Sequence, residues 1–223
     1  MQRIFLLALL WIGSPACAQK NGEVTMTENN IFKAAADNDT AAIQRALSNK
    51  ALLETRDVKG RTPLMVATYH HHAAAAQVLI TAGANVNARD EMQNSPFLYA
   101  GAEGYADILR MCMAAGADYN VYNRYGGTAL IPACERGHIE VISLLLADKK
   151  FPLNHINRLG WTALLEAVIL GQGGAIHQEV VKRLIAAHAD LNIGDKDGIT
   201  ALQHAKNRGY KAIVDLLQQA GAK

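Results

Sequence analysis

Three kinds of residue in this chain could carry chemistry: a run of histidines, a pair of cysteines, and carboxylates set among apolar neighbours. His70, His71 and His72 are consecutive. Imidazole nitrogens are common zinc ligands. Neighbouring residues at a helix end point in different directions, however, so this run does not easily bring three nitrogens to one ion. Cys112 and Cys134 stand in apolar surroundings. An oxidising compartment would permit a bond between them, but its geometry is demanding. Buried free thiols are the alternative. The sequence has no glycine-rich phosphate loop, no Gly-x-Ser-x-Gly turn and no His-Glu-x-x-His pair. The scattered histidines make no triad. The chain reads as a binder rather than an enzyme, with no cofactor and no metal.

The elements that must position such groups are bounded by composition. The 223 residues suffice for one sizeable domain or two small ones. Half are apolar and 19% are charged, which excludes a disordered chain. Aromatics make up only 6% and alanine is abundant, which points to closely packed helices. A net charge of +2 excludes a broad nucleic-acid footprint, since phosphate binding needs a clustered basic excess. Three cysteines are too few for a disulfide scaffold.

Residues 1–18 read as a secretory signal peptide. Arg3 gives a basic start, Ile4 to Ile12 is a short apolar run, and Gly13-Ser14-Pro15 breaks it. Ala16-Cys17-Ala18 then offers small residues before a cleavage point. Cys17 fits a lipidation site poorly, because an apolar residue is usual where Ser14 stands. Residues 19–26 are expected to be a flexible mature N-terminus, and no later stretch is long and apolar enough to span a membrane. The expected location is the bacterial periplasm.

The remainder is periodic. Thr62-Pro63-Leu64, Ser95-Pro96-Phe97, Thr128-Ala129-Leu130, Thr162-Ala163-Leu164 and Thr200-Ala201-Leu202 are equivalent triplets, spaced by 33, 33, 34 and 38 residues. An alanine follows each at a fixed offset (Ala67, Ala100, Ala133, Ala167, Ala205), and four residues later come His71, Gly104, Gly137, Gly171 and Gly209. Thr or Ser caps a helix start, and proline fits the first turn. The glycine ends the first helix in a left-handed conformation. A second amphipathic helix follows, such as Ile139 to Leu146, closed by Gly83 or Gly116 in two of the units.

These motifs resemble the ankyrin-repeat family, over roughly residues 25–223. The resemblance implies an all-α repeat solenoid of stacked helix–loop–helix units with β-turn fingers along one edge. It divides residues 27–223 into an N-terminal cap at 27–56 and repeats at 57–89, 90–122, 123–156, 157–194 and 195–223. His71 and His72 fall where the family usually has Gly-His, which gives both a structural slot. The position before the repeated alanine is normally leucine in this family. Here it reads Val66, Tyr99, Pro132, Glu166, His204. Tyr99, Pro132 and Glu166 lie on three successive first helices, forming a polar notch. Either the notch receives a partner side chain, or Glu166 is satisfied internally by Tyr99 or by a backbone group that Pro132 frees. Gly171 to His177 is an insertion, most simply a tolerated surface loop. Asp148-Lys149-Lys150-Phe151-Pro152 replaces a closing glycine as a local turn variant.

Ankyrin-type arrays bind through finger tips and the inner face of the first helices. The resemblance therefore assigns the fingers' Arg89, Glu91, Met92, Tyr122, Arg124, Tyr125, Arg158, Leu159, Trp161 and Ile199 to a binding surface, with Tyr69, His70, Glu103, Glu135 and Arg136 from the inner helices. Tyr, Trp and Arg dominate interface energies, and they concentrate in residues 122–136 and 156–166. The expected function is a non-catalytic protein–protein interaction module in the envelope, holding one exported protein. The run Asn123 to His138 is similar to small exported bacterial ankyrin proteins associated with oxidative-stress defence. That implies an accessory factor to a peroxide-removing enzyme. The alternatives are an immunity-type inhibitor of a periplasmic toxin, and a small-molecule or enzymatic site at the Tyr99–Glu166 notch. Oligomeric state is not encoded in any of these motifs.

Overall fold

A computed structural model describes residues 26–223, with side-chain environments from Asn30 onward. The expected signal peptide and the segment after it lie outside the described residues, except for Met26. The described residues form twelve α-helices and no named strand. They are α1 (Met26–Ala36), α2 (Thr40–Ala46), α3 (Pro63–Tyr69), α4 (Ala73–Thr81), α5 (Pro96–Glu103), α6 (Ala106–Ala114), α7 (Leu130–Arg136), α8 (Ile139–Ala147), α9 (Ala163–Ile169), α10 (Ala175–Ala186), α11 (Ala201–Asn207) and α12 (Lys211–Gln219), with a short 3₁₀ turn at Lys50–Glu54.

The helices form two layers. Odd-numbered helices stack on odd and even on even, and each pair also packs against itself. One continuous core runs between the layers. It includes Ile43, Leu64, Leu79, Leu109, Leu130, Ile142, Leu165, Leu184, Leu202 and Leu217. Small residues set the spacing of the inner layer. Gly101 of α5 lies so close to the start of α7 that a Cβ there would stand 2.6 Å from the Ala129 Cβ. The repeated alanines Ala67, Ala100, Ala133, Ala167 and Ala205 are all fully buried.

The inner helices α3, α5, α9 and α11 begin as their sequences dictate. The side chains of Thr62, Ser95, Thr162 and Thr200 accept the backbone N–H groups of Met65, Leu98, Leu165 and Gln203. In the same helices the carbonyls of those capping residues accept the N–H four residues on, at Val66, Tyr99, Glu166 and His204. The third unit departs from this pattern. Its fourth residue after Thr128 is Pro132, which has no N–H to give. Helix α7 accordingly starts at Leu130, with Ala129 rather than Thr128 at its N-cap and no side-chain cap. The expectation that Thr128 caps its helix is thereby corrected.

His71, Gly104, Gly137 and Gly209 adopt the expected left-handed conformation, with φ of 53°, 81°, 73° and 69°. Gly171 does not. Its Cβ position would lie 2.0 Å from the Ala167 carbonyl oxygen and 2.4 Å from the His177 ring, so glycine is required there by crowding. The left-handed residue moves to Gly173, inside the insertion. That loop is tied down by Tyr210, whose hydroxyl donates to the Gly171 carbonyl at 3.0 Å.

Candidate functional site

The fingers are built on a column of Asx residues: Asp57, Asp90, Asn123, Asn157 and Asp195. Each Oδ1 accepts the backbone N–H four residues on, at 2.9–3.0 Å. Each backbone N–H donates in turn to the carbonyl of that fourth residue. The turn is thus closed from both sides, and its tip is presented on a fixed frame. This column escaped the sequence reading. The signal was available, since an Asp or Asn recurs five residues before Thr62, Ser95, Thr128, Thr162 and Thr200.

Between the central fingers and the inner helices lies a groove of about 690 Å³. Its finger wall carries Met92, Arg124, Tyr125 and Leu159; its helical wall and floor carry Tyr69, Tyr99, Glu103, Pro132, Glu135, Arg136, Glu166 and Leu170. The polar notch and most of the expected partner surface are therefore one cavity. Met92, Tyr125 and Leu159 occupy equivalent places on successive fingers, each about half exposed.

Polar groups along the groove differ in how well they are partnered. The Tyr69 hydroxyl donates to Asp90 at 2.7 Å and accepts from the Asn94 amide at 3.0 Å. Burial first, and then the Asp90 carboxylate, pushes the Tyr69 phenol up to about 12. The Tyr99 ring packs against Tyr69 with centroids 4.2 Å apart. Arg136 donates to Glu103 at 2.6 Å and to the Ala102 carbonyl at 2.8 Å, which ties α7 to α5. The Arg124 guanidinium lies over the Tyr125 ring, 4.9 Å from its centre.

Glu166 is the exception among them. It is 93% buried, at 7% relative exposure, and its Oε2 has no hydrogen-bond partner. Burial raises its carboxyl to about 7; the neighbouring Glu135 carboxylate adds to the rise and the Asn157 amide offsets part of it. The internal bond from Glu166 to Tyr99, one of the alternatives to a partner site, is not formed, because Tyr99 turns its ring onto Tyr69 and Glu166 faces Glu135 and Asn157. Beneath the floor, His177 from the insertion reaches back to α7. Its Nδ1 accepts from the Gln172 backbone at 3.4 Å, so Nε2 carries the proton and donates to the Glu135 carbonyl at 2.7 Å. The insertion therefore buttresses the helix that bears Glu135.

Seven of the residues assigned to the binding surface do not line the groove: His70, Arg89, Glu91, Tyr122, Arg158, Trp161 and Ile199. Tyr122 stacks on His155 at 4.3 Å. Arg158 lies against Gly126 and donates to the Arg124 carbonyl at 3.1 Å. Trp161 packs against the core. The contacts of Tyr122, Arg158 and Trp161 join neighbouring fingers to each other and to the helices. The histidine run is similarly engaged. His71 stacks on Tyr105 at 3.8 Å and bonds Asp107, while His72 meets the Ala35 carbonyl. Cys112 and Cys134 are buried free thiols. Burial pushes Cys112 up to about 12, and burial together with Glu166 raises Cys134 further. No group of three or more metal-ligating side chains occurs among the described residues. No helix among them is long and apolar enough to cross a membrane.

Stacked helical pairs, Asx-closed fingers and a concave groove define a solenoid binding scaffold. The chain matches the family described as ankyrin repeats (3 copies) over residues 6–90 and 97–176, and the single ankyrin repeat over 159–196. It belongs to the ankyrin-repeat family. It is 36% identical to the putative ankyrin repeat protein YahD of Escherichia coli K12, over 85% of this chain and 94% of that protein. Among solved structures, an ankyrin repeat domain from Acinetobacter baumannii is 55% identical. That likeness covers 88% of this chain and all of the other, with a TM-score of 0.85. The ankyrin repeat protein EF0377 is 38% identical over 87% of this chain and 99% of its own, with a TM-score of 0.83. Repeats of this family are generally protein–protein interaction modules and typically non-catalytic scaffolds.

Proposed function

We propose that this chain is a non-catalytic interaction module, exported to the bacterial periplasm, which holds one protein partner in the central groove. The observation that carries this reading is the row Met92, Tyr125 and Leu159, exposed at equivalent finger positions and facing the helical wall. Apolar side chains held out on closed turns form an interface core at little ordering cost. Export rests on the basic, apolar and small-residue segments of residues 1–18. The partner is an exported enzyme of peroxide defence, to which this chain is an accessory factor. A periplasmic toxin, with this chain as its immunity protein, is the competing identity.

The test is capture from envelope extract by the tagged chain. The Tyr125→Ala/Leu159→Ala chain should lose at least tenfold in affinity for the captured protein, since a buried interface anchor is worth about 2 kcal/mol or more. Unchanged capture contradicts the reading. The identity of the captured protein, together with growth under peroxide with and without the gene, separates the accessory role from immunity. N-terminal sequencing of the chain from a periplasmic fraction tests export.

A small-molecule site in the same groove is the second reading, favoured by Glu166. A buried carboxyl raised to about 7 inside a cavity is the kind of group that binding and acid–base sites use. Mass spectrometry of small molecules released from the natively purified chain distinguishes it from the first.

A further inference from the structure

We infer that the groove receives a basic side chain, lysine or arginine, from an extended segment of the protein partner. The charged head lies at Glu135 and Glu166, and flanking apolar side chains rest on Met92, Tyr125 and Leu159. This rests on the reading of the groove as the partner site and adds the chemistry that the partner must present.

The first argument is an unmet requirement. A buried carboxylate needs hydrogen bonds or a counter-charge. Glu166 is 93% buried on the groove floor with one oxygen unpartnered. Glu135, on the adjacent helix, makes no ion pair among the described residues. The cations already in the groove do not answer this need. Arg136 feels the Glu135 charge but gives its hydrogen bonds to Glu103 and the Ala102 carbonyl, and Arg124 is held over the Tyr125 ring on the exposed rim.

The second argument is shape. Two carboxylates and one amide fall short of the six to eight oxygens that a bare calcium ion takes. The walls also carry aromatic and aliphatic side chains, Tyr99, Tyr125, Ile131 and Leu159 among them, which suit the stem of a long basic side chain whose head seeks the carboxylates. Tyr99 lines the same groove and adds an aromatic ring that favours a cation, while the Tyr69 ring already carries Arg61 over it. The apolar finger row extends on both sides of Tyr125, so a segment lying across the repeats can place its neighbouring residues there.

The test uses N-acetylated, C-amidated heptapeptide pools. The central residue is fixed as arginine, lysine, citrulline or norleucine, and the other positions are equal mixtures of Ala, Leu, Val and Ser. Retention is measured on the wild-type, Glu166→Gln and Glu135→Gln/Glu166→Gln chains, each checked for native circular dichroism. The arginine and lysine pools should be retained at least tenfold more strongly than the citrulline and norleucine pools by the wild type. That preference should fall to less than threefold in the double variant. No preference, no retention of any pool, or a preference that survives both substitutions overturns the proposal. A parallel capture from envelope extract keeps it distinct from the reading beneath it. Capture that survives Glu135→Gln/Glu166→Gln but fails with Tyr125→Ala/Leu159→Ala overturns the basic side chain and leaves the groove standing. Capture that survives both overturns the groove itself.

Discussion

Glu166 stands where its family places a leucine, and the consequence for stability can be worked out with its sign. The unfolded chain releases this proton near the ordinary value of 4.5, and the folded chain near 7. Between those values the folded state binds the extra proton, so its stability falls as pH rises through the window. At about 1.4 kcal/mol per unit, the full effect above pH 7 is about 3 kcal/mol at most. Glu166→Gln stays neutral throughout. The variant should therefore be more stable than wild type at pH 8 by up to about 3 kcal/mol, with the gap closing toward pH 4.5. Urea unfolding at the two pH values checks this, and an equal or lower stability of the variant at pH 8 would contradict it. Tyr99 and Glu166 were legible in the sequence because five aligned copies expose any residue that breaks the column. That they do not bond each other was not legible. Whether a tyrosine turns toward a carboxylate or toward another ring depends on side-chain packing, which a column of residue types does not record. His177 was missed for a similar reason, because it lies in an insertion that has no equivalent in the other repeats.

At the scale of elements, the starts of α3, α5, α9 and α11 followed from local chemistry, since Thr or Ser there accepts the N–H three residues on. The start of α7 needed one further step. Pro132 was seen as a lost bond inside the helix, but the bond it removes is the one that opens it, and the boundary moves accordingly. The close approach of α5 to α7 at Gly101 carried no periodic signal, because the other repeats have Thr68, Cys134, Val168 and Lys206 at that place. Gly101→Leu forces a side chain into the Ala129 contact. Overpacking of this kind costs about 1–3 kcal/mol, so the urea midpoint should fall measurably. An unchanged midpoint would show that α7 can retreat at no cost.

At the scale of the molecule, a stacked array gains its stability from neighbour contacts, and its binding surface is assembled from several repeats at once. The groove takes Tyr69, Tyr99, Tyr125 and Glu166 from four units in succession. The sequence could name these residues, yet it treated the notch and the finger patch as separate sites. The distance between a finger and the next inner helix is set by the stacking of whole repeats, and no motif within one repeat reports it. The measurement that bears most directly on the central claim is amide hydrogen exchange of the chain with and without its captured partner. The account predicts protection concentrated in residues 91–103, 123–136 and 157–170, which carry the two walls of the groove. Protection confined to the outer helices α4, α6, α8 and α10, with those three segments exchanging as in the free chain, would contradict it.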